Sequence, residues 1–409
     1  MDVSPVNPAF HRIAVVVAAW LFFAVVVSTA EGAQSIRVLL SADVHKLDVQ
    51  ADGAVWLTDS SRHGRAIRSG AHVTVHGKGF LVNGTRMPHD RLTMRAGEQG
   101  LTLMLVKPNE KAPGAANDQR FMVPVSGLVH IVRKGKGFLV INQADLEEYV
   151  KGVVPGEVNS SWHPEMLKAQ AVAARTYALY QQMLSAAREY DVVATVQDQV
   201  YKGKNGVDAA VSRAVDETRG LVLTYQNAPI YAAFSSTAAG LTEDALNVWS
   251  KDYPYLKGVE CPFDLDSPFY HWKASFRMDK LEQSLRQQGF AVGTIAAMEP
   301  LSFSRGGRVA KLRVVHSDGE LILRGEDLRK AVGYSIVPST QFTIDSVGQD
   351  IVLSGYGAGH AVGMCQWGAK ELAELGYPFS TILAYYYPGT ELQDMSLTKQ
   401  PIVPASPTS

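Results

Sequence analysis

The chain has 409 residues, 46% of them hydrophobic and 19% charged, which suits two or three globular domains with a full apolar core. Lys and Arg number 39 against 40 Asp and Glu, for a net charge of −1. That balance excludes the strongly basic face a nucleic-acid partner would require.

His11 and Arg12 precede an apolar run over residues 13–27, followed by the small residues Ser28, Thr29 and Ala30. The run has signal-peptide length and is short for a membrane span. Residues 1–30 therefore read as a signal peptide. The mature chain is expected outside the cytoplasm, in the periplasm, the cell wall or the medium. An uncleaved leader is the alternative and would be its only membrane attachment. No cysteine follows the run, which argues against a lipid anchor.

Residues 31–141 carry short β-rich runs at 36–40, 72–75, 101–105, 127–130 and 138–141, separated by glycine-containing turns. Residues 107–119 read as a polar loop. The pattern predicts an N-terminal β-rich region with no catalytic cluster. A core follows over 142–392. The predicted class is α+β: a mixed helical and β core, the β-rich region, and a small inserted α+β subdomain over 276–347. Residues 393–409, with Pro401, Pro404 and Pro407, read as a disordered tail.

The core opens with Leu-Glu-Glu-Tyr-Val-Lys-Gly-Val-Val-Pro-Gly-Glu-Val over residues 146–158. Asp145 and Glu148 have capping-box spacing, and Pro155 and Gly156 are expected to end the helix. Pro164 is placed to start an alanine-rich helix that ends near Arg188. Glu157 then lies on a rigid connection among Val153, Val154, Val158 and Trp162. An apolar setting raises a carboxyl pKa and suits a general acid. A glutamate there is also a candidate cap or ion-pair partner. Glu147, Glu148 and Glu165 read as solvated helix charges or caps. Arg175 reads as a core ion-pair partner, with Glu157 one candidate acceptor.

A helix over 207–219 with Gly220 as its cap precedes strands at 221–225 and 230–234. The second strand delivers Ser235-Ser236-Thr237-Ala238-Ala239-Gly240-Leu241-Thr242-Glu243. Such a run either presents hydroxyls at a cleft mouth or forms a tight, internally satisfied turn. The second dense block, residues 355–369, reads Gly-Tyr-Gly-Ala-Gly-His-Ala-Val-Gly-Met-Cys-Gln-Trp-Gly-Ala. A phosphate cradle fails because no Lys-Ser/Thr follows the glycines. A thiol nucleophile, Cys365 with His360, is a weaker alternative to a buried small hydrophobe. Cys261 and Cys365 lie far apart in sequence and read as unpaired thiols.

Together the two blocks resemble the SpoIID/LytB family of bacterial cell-wall proteins, with a likeness over roughly residues 36–392. The resemblance implies a peptidoglycan lytic transglycosylase that cleaves the β-1,4 bond between N-acetylmuramic acid and N-acetylglucosamine, leaving 1,6-anhydro ends. It implies Glu157 as the catalytic acid, within Val154-Pro155-Gly156-Glu157-Val158; methionine is common where this chain has Val158. It implies substrate contacts from Tyr201, Ser236, Thr237, Trp249, His360, Gln366, Trp367 and Tyr386, and a preference for glycan strands stripped of stem peptides. The alternative is a non-catalytic glycan binder that stimulates a cell-wall amidase. Some relatives bind zinc through Cys or His just before the Tyr-Gly block. Val196, Gln197 and Asp198 stand there instead, so no metal or other cofactor is expected. In the second block this chain has Ala361 for Gly, Cys365 for Ser and Trp367 for Tyr.

Overall fold

Strands with alternating burial build the N-terminal part, as in Arg91–Arg95 with Leu92 and Met94 inward. The computed structural model describes residues 34–61, 64–97, 100–107 and 119–399. The predicted leader, most of the polar loop and residues 400–409 lie outside these.

An 11-stranded sheet runs Val192–Val193, Ser35–Val44, Gly137–Asp145, Leu128–Lys134, Arg91–Arg95, Lys46–Asp59, Gly64–His76, Gly79–Val82, Thr85–Met87. The hairpin of Leu101–Lys107 with Gln119–Val125 joins it through Lys46–Asp59. Ser35–Val44 pairs antiparallel with Gly137–Asp145 from Ser35 opposite Asp145 to Val44 opposite Phe138. Gly137–Asp145 is buried on both faces. Phe138, Val140 and Ala144 join the main core, and Leu139 and Ile141 join a smaller cluster behind. The expected boundary at 141/142 therefore falls inside a strand. One hydrophobic core runs from Ile36 to Tyr387, so the β-rich region and the helices are packed as one body.

Helix α1 is Leu146–Glu157, and its cap Asp145 accepts from the Glu147 and Glu148 N–H groups at 2.9 and 3.2 Å. Glu148 pairs with Lys151 at 3.2 Å rather than returning to the cap. Pro155 and Gly156 do not end the helix. Pro155 sits in its last turn, where it forgoes a single N–H bond back to the Lys151 carbonyl, and the Val158 N–H still closes on the Val154 carbonyl.

Helix α2 is Pro164–Leu184, with Pro164 at its start and His163 as cap. It is buried without a break from Met166 to Tyr180 except at Lys168. Its alanines let strands and helices close on every side. It ends at Leu184, four residues before the expected Arg188, where Ser185 turns back to Gln182.

Glu147 and Arg175 join the two helices. Arg175 Nε and Nη2 donate to the two Glu147 oxygens at 2.9 and 2.6 Å, and both side chains are buried. Glu147 is thus a core acceptor, not a solvated charge, and Arg175 belongs to it rather than to Glu157. Helix α3, Ala209–Glu217, packs across both. Of the expected strands around Asn227, Leu221–Tyr225 forms; the second reduces to Ala228–Pro229 and Phe234–Ser235.

The insertion has its own core, including Trp272, Leu285, Leu312, Leu328 and Leu353. It is wider than 276–347. Its outer strands, His271–Arg277 and Asp350–Tyr356, pair with each other. The expected tail is ordered at its start: Glu391–Asp394 pairs with Leu221–Tyr225, and Lys399 N–H reaches the Asn227 carbonyl.

Candidate active site

Glu157 stands at the last position of α1, where the chain after α2 crosses it. A side chain at Gly156 would collide with the Val200 carbonyl oxygen, and one at Gly152 with Gly203 and the Tyr201 ring. Two small residues one turn apart therefore let residues 200–203 lie against the helix. That approach brings the Val200 N–H to Glu157 Oε1 at 2.6 Å. Gln366 also donates to the carboxylate. Glu157 is half-buried. Burial pushes its carboxyl up to about 7 against the partial restoring effects of the Val200 and Gln366 hydrogen bonds and the Lys202 charge. At neutral pH the group is divided between acid and base.

Gln366 opens the helix Gln366–Glu374 and is itself buried. Its amide nitrogen donates to Gln170 Oε1 on α2 at 3.2 Å, so α2 aims it at Glu157. The next residue, Trp367, meets Trp162 edge-on at 5.1 Å between ring centres and carries Lys370 over its face. Both indoles are half-buried.

The hydroxyl run joins the same place. Phe234–Ser235 pairs in parallel with Met364–Cys365, and the Trp367 N–H donates to the Ser236 carbonyl at 3.1 Å. Ser236 is half-buried; its hydroxyl lies 3.2 Å from that of Thr237, which is buried and bonded to Ser267 at 2.6 Å. Ser236 is thus the hydroxyl open to a ligand, and Thr237 supports it. Behind them the buried Asp264 accepts the Ala238 and Ala239 N–H groups at 2.7 and 2.8 Å.

His360 Nδ1 accepts the Val362 N–H at 2.9 Å, and its other nitrogen donates to the Phe234 carbonyl. Burial, reinforced by Arg329 and Arg308, pushes the imidazole down to about 3. Trp249 meets the ring at 5.0 Å. A neutral histidine with both nitrogens used inside the protein braces the glycine loop rather than moving protons.

The profile of the stage II sporulation protein family (SpoIID) matches residues 134–225, the segment that carries Glu157 and its Val200 partner. Stage II sporulation protein D of Bacillus subtilis is 34% identical over 269 residues, covering 62% of this chain and 76% of that one. This chain belongs to the SpoIID family. Family membership carries a cell-wall-related role. The amidase enhancer of Bacillus subtilis is 33% identical over 288 residues, 59% of this chain but 40% of that one. An uncharacterized protein of Brachyspira hyodysenteriae is 34% identical over 267 residues, 65% of this chain and 71% of that one. A domain of unknown function (DUF8618) matches residues 247–363, which take in the whole insertion and the start of the second motif.

Of the positions expected to touch sugar, both tyrosines are inside the core, as are Thr237 and Gln366. Tyr201 is 6% exposed, stacks on Tyr149 and donates to Asn142 Oδ1 at 2.9 Å. Tyr386 is 2% exposed, with its hydroxyl 3.3 Å from Cys261 Sγ. Neither ring faces a ligand. At the zinc-binding positions of some relatives, Asp198 instead accepts the Tyr177 hydroxyl and the Val193 N–H at 2.6 and 2.7 Å. Ala361 has φ of 60°, where an L-residue is strained and the family's glycine is not. Cys365 is buried, and its thiol donates to Asp264 Oδ2 at 3.2 Å. Burial raises that thiol well above its ordinary value, the opposite of what a nucleophile needs. Val200, Gln170 and Asp264 went unread in the sequence. Only Gly152 and Gly156 hinted that a backbone group would come close to α1.

Proposed function

We propose that this chain is a peptidoglycan lytic transglycosylase with Glu157 as its general acid and base. The observation that carries the reading is the half-buried carboxyl at about 7, held by the Val200 N–H and Gln366. A carboxyl poised near the working pH can both give and take a proton. The protonated Glu157 gives its proton to the β-1,4 glycosidic oxygen between N-acetylmuramic acid and N-acetylglucosamine. The resulting carboxylate takes the proton of the muramic 6-hydroxyl as that oxygen attacks C1. The products are a 1,6-anhydro end and a free N-acetylglucosamine 4-hydroxyl, and no water is consumed. One carboxyl serves both steps, whereas hydrolysis by the usual route takes two.

Ser236 supplies a polar contact, Gln366 orients the Glu157 carboxyl from inside, and Trp162, Trp249 and Trp367 supply ring faces for sugar. Glycan strands freed of stem peptides are the proposed substrate, met outside the cytoplasm after export. Among the described residues no helix is long and apolar enough to cross a membrane.

The test is mass spectrometry of fragments released from purified glycan strands. Anhydro ends from the wild-type chain, reduced about a hundred- to ten-thousandfold in Glu157→Gln, are expected. Equal digestion by the variant would remove Glu157 from the role. The likeness to the amidase enhancer favours a second reading, a glycan binder that stimulates an amidase. Stimulation of a purified amidase by both the wild type and Glu157→Gln, without anhydro products, would select it.

A further inference from the structure

Behind the hydroxyl loop lies a cluster that the proposed glycan chemistry does not use. Cys261, from the short strand Glu260–Cys261, and Cys365, from Met364–Cys365, are both free and buried. Their Sγ atoms and a carboxylate oxygen of Asp264 all lie within 4.8 Å of one another. Two segments about a hundred residues apart, Cys261 to Asp264 and the strand of Cys365, thus converge on one point through two sulfurs and one oxygen.

Asp264 supplies the second observation. Its Oδ2 is saturated by the Ala238 and Ala239 N–H groups and the Cys365 thiol. Its Oδ1 is buried and has no hydrogen-bond partner, on a residue 0% exposed. An unsatisfied carboxylate oxygen in the interior costs about 1–3 kcal/mol or more. Arg308 Nε is likewise buried without a partner. The Arg308 charge acts on Asp264 and both cysteines. Tyr386 Oη, 3.3 Å from Cys261 Sγ, is a fourth donor at the cluster. Gly368 leaves its space open, because a side chain there would run into Cys261 Sγ and Tyr386 Oη.

We propose that Cys261, Cys365 and Asp264 form a structural zinc site that ties the hydroxyl loop to the second glycine motif. Zinc holds thiolate sulfur at about 2.3 Å and carboxylate oxygen at about 2.0–2.2 Å, so tetrahedral ligand atoms stand roughly 3.5–3.8 Å apart. The present cluster reaches that spacing by small side-chain rotations. Binding removes one proton from each thiol, and two thiolates with one carboxylate then face Zn²⁺ and the Arg308 cation. Zn²⁺ and its three anionic ligands sum to −1, beside an Arg308 that also meets the buried Glu243 at 3.8 Å, and Asp264 Oδ1 has lone pairs free to take a partner. A disulfide would leave Oδ1 unpaired. The site is separate from positions 196–198.

The test uses the whole exported chain. It is purified with zinc, dialysed against a weak chelator, and assayed for metal by plasma mass spectrometry and for thiols in denaturant. One equivalent of zinc and two thiols are expected. Cobalt in place of zinc should give thiolate-to-metal charge-transfer absorption, abolished in the double variant Cys261→Ala/Cys365→Ser and weaker in Cys365→Ser alone. Asp264→Asn should lower zinc affinity by at least the roughly 10–100-fold that loss of a second-shell partner costs. Two free thiols without retained zinc overturn the proposal, as does an absence of free thiols in denaturant, which marks a disulfide. None of these readouts depends on glycan cleavage.

Discussion

The Val200 N–H donates to Glu157 Oε1 at 2.6 Å across 43 residues of sequence, and with the Lys202 N–H on the Gly152 carbonyl at 3.2 Å it joins α1 to the chain leaving α2. It favours the carboxylate, while burial favours the acid, and the balance lands at about 7. A general acid must carry its proton, so glycan cleavage should decline as pH rises above about 7. Stability has the same direction. The folded carboxyl binds its proton more tightly than the unfolded one, so its contribution is full below about 4.5 and is lost as pH rises to about 7. Gln366 donates to the charged form, so Gln366→Ala should move the activity limb to higher pH. A pH profile of kcat/KM for both proteins checks this, and an unmoved limb would show that Gln366 does not reach the acid.

Gly156→Ala puts a methyl group into the Val200 carbonyl. The segment must shift, taking the Val200 N–H with it. Overpacking of this kind costs about 1–3 kcal/mol, read as a lower urea midpoint. Activity should fall further than stability does at temperatures where the variant remains folded. A fully active, equally stable variant would mean the close approach is not needed.

Arg175→Met leaves the Glu147 carboxylate buried with the Gly220 N–H, at 3.2 Å, in place of its paired charge. Removing one partner of a buried pair costs about 3–5 kcal/mol. Chemical denaturation should show the loss. Replacing both, as in Glu147→Leu with Arg175→Met, should recover much of it, because no uncompensated charge remains.

Ala361→Gly should act in the other direction. A left-handed L-residue costs roughly 1–2 kcal/mol, and glycine relieves it at φ of 60°. The thermal midpoint should rise, offset in part by the greater freedom of glycine in the unfolded chain. A lower midpoint would show that the Ala361 methyl earns its place by packing.

Tyr201→Phe and Trp367→Ala should separate core from cleft. Tyr201→Phe strips the buried Asn142 oxygen of the tyrosine hydroxyl and costs about 1–3 kcal/mol of stability, with KM for glycan unchanged. Trp367→Ala should raise KM instead. Isothermal titration with an uncleaved glycan fragment, alongside melting curves, distinguishes them.

The sequence by itself determined the α+β class, both motifs, the cap at Asp145, the helix start at Pro164, and Glu157 as the residue to test. These follow from local rules: turn chemistry, capping and propensity act within a few residues. Local rules also misjudged the Pro-Gly pair, because a helix can keep Pro155 in its last turn and a close strand makes Gly156 necessary. Only the tertiary structure decided which carboxylate Arg175 takes, since Glu147 and Glu157 stand at opposite ends of α1 and the packing of α2 against it brings Arg175 to the first. It also turned Tyr201 and Tyr386 inward, split the hydroxyl run into a half-buried Ser236 and a buried Thr237, and carried Cys365 to Cys261 and Asp264. These are facts of packing between segments tens to hundreds of residues apart, and no single stretch of sequence encodes which side of a residue its distant neighbours will cover.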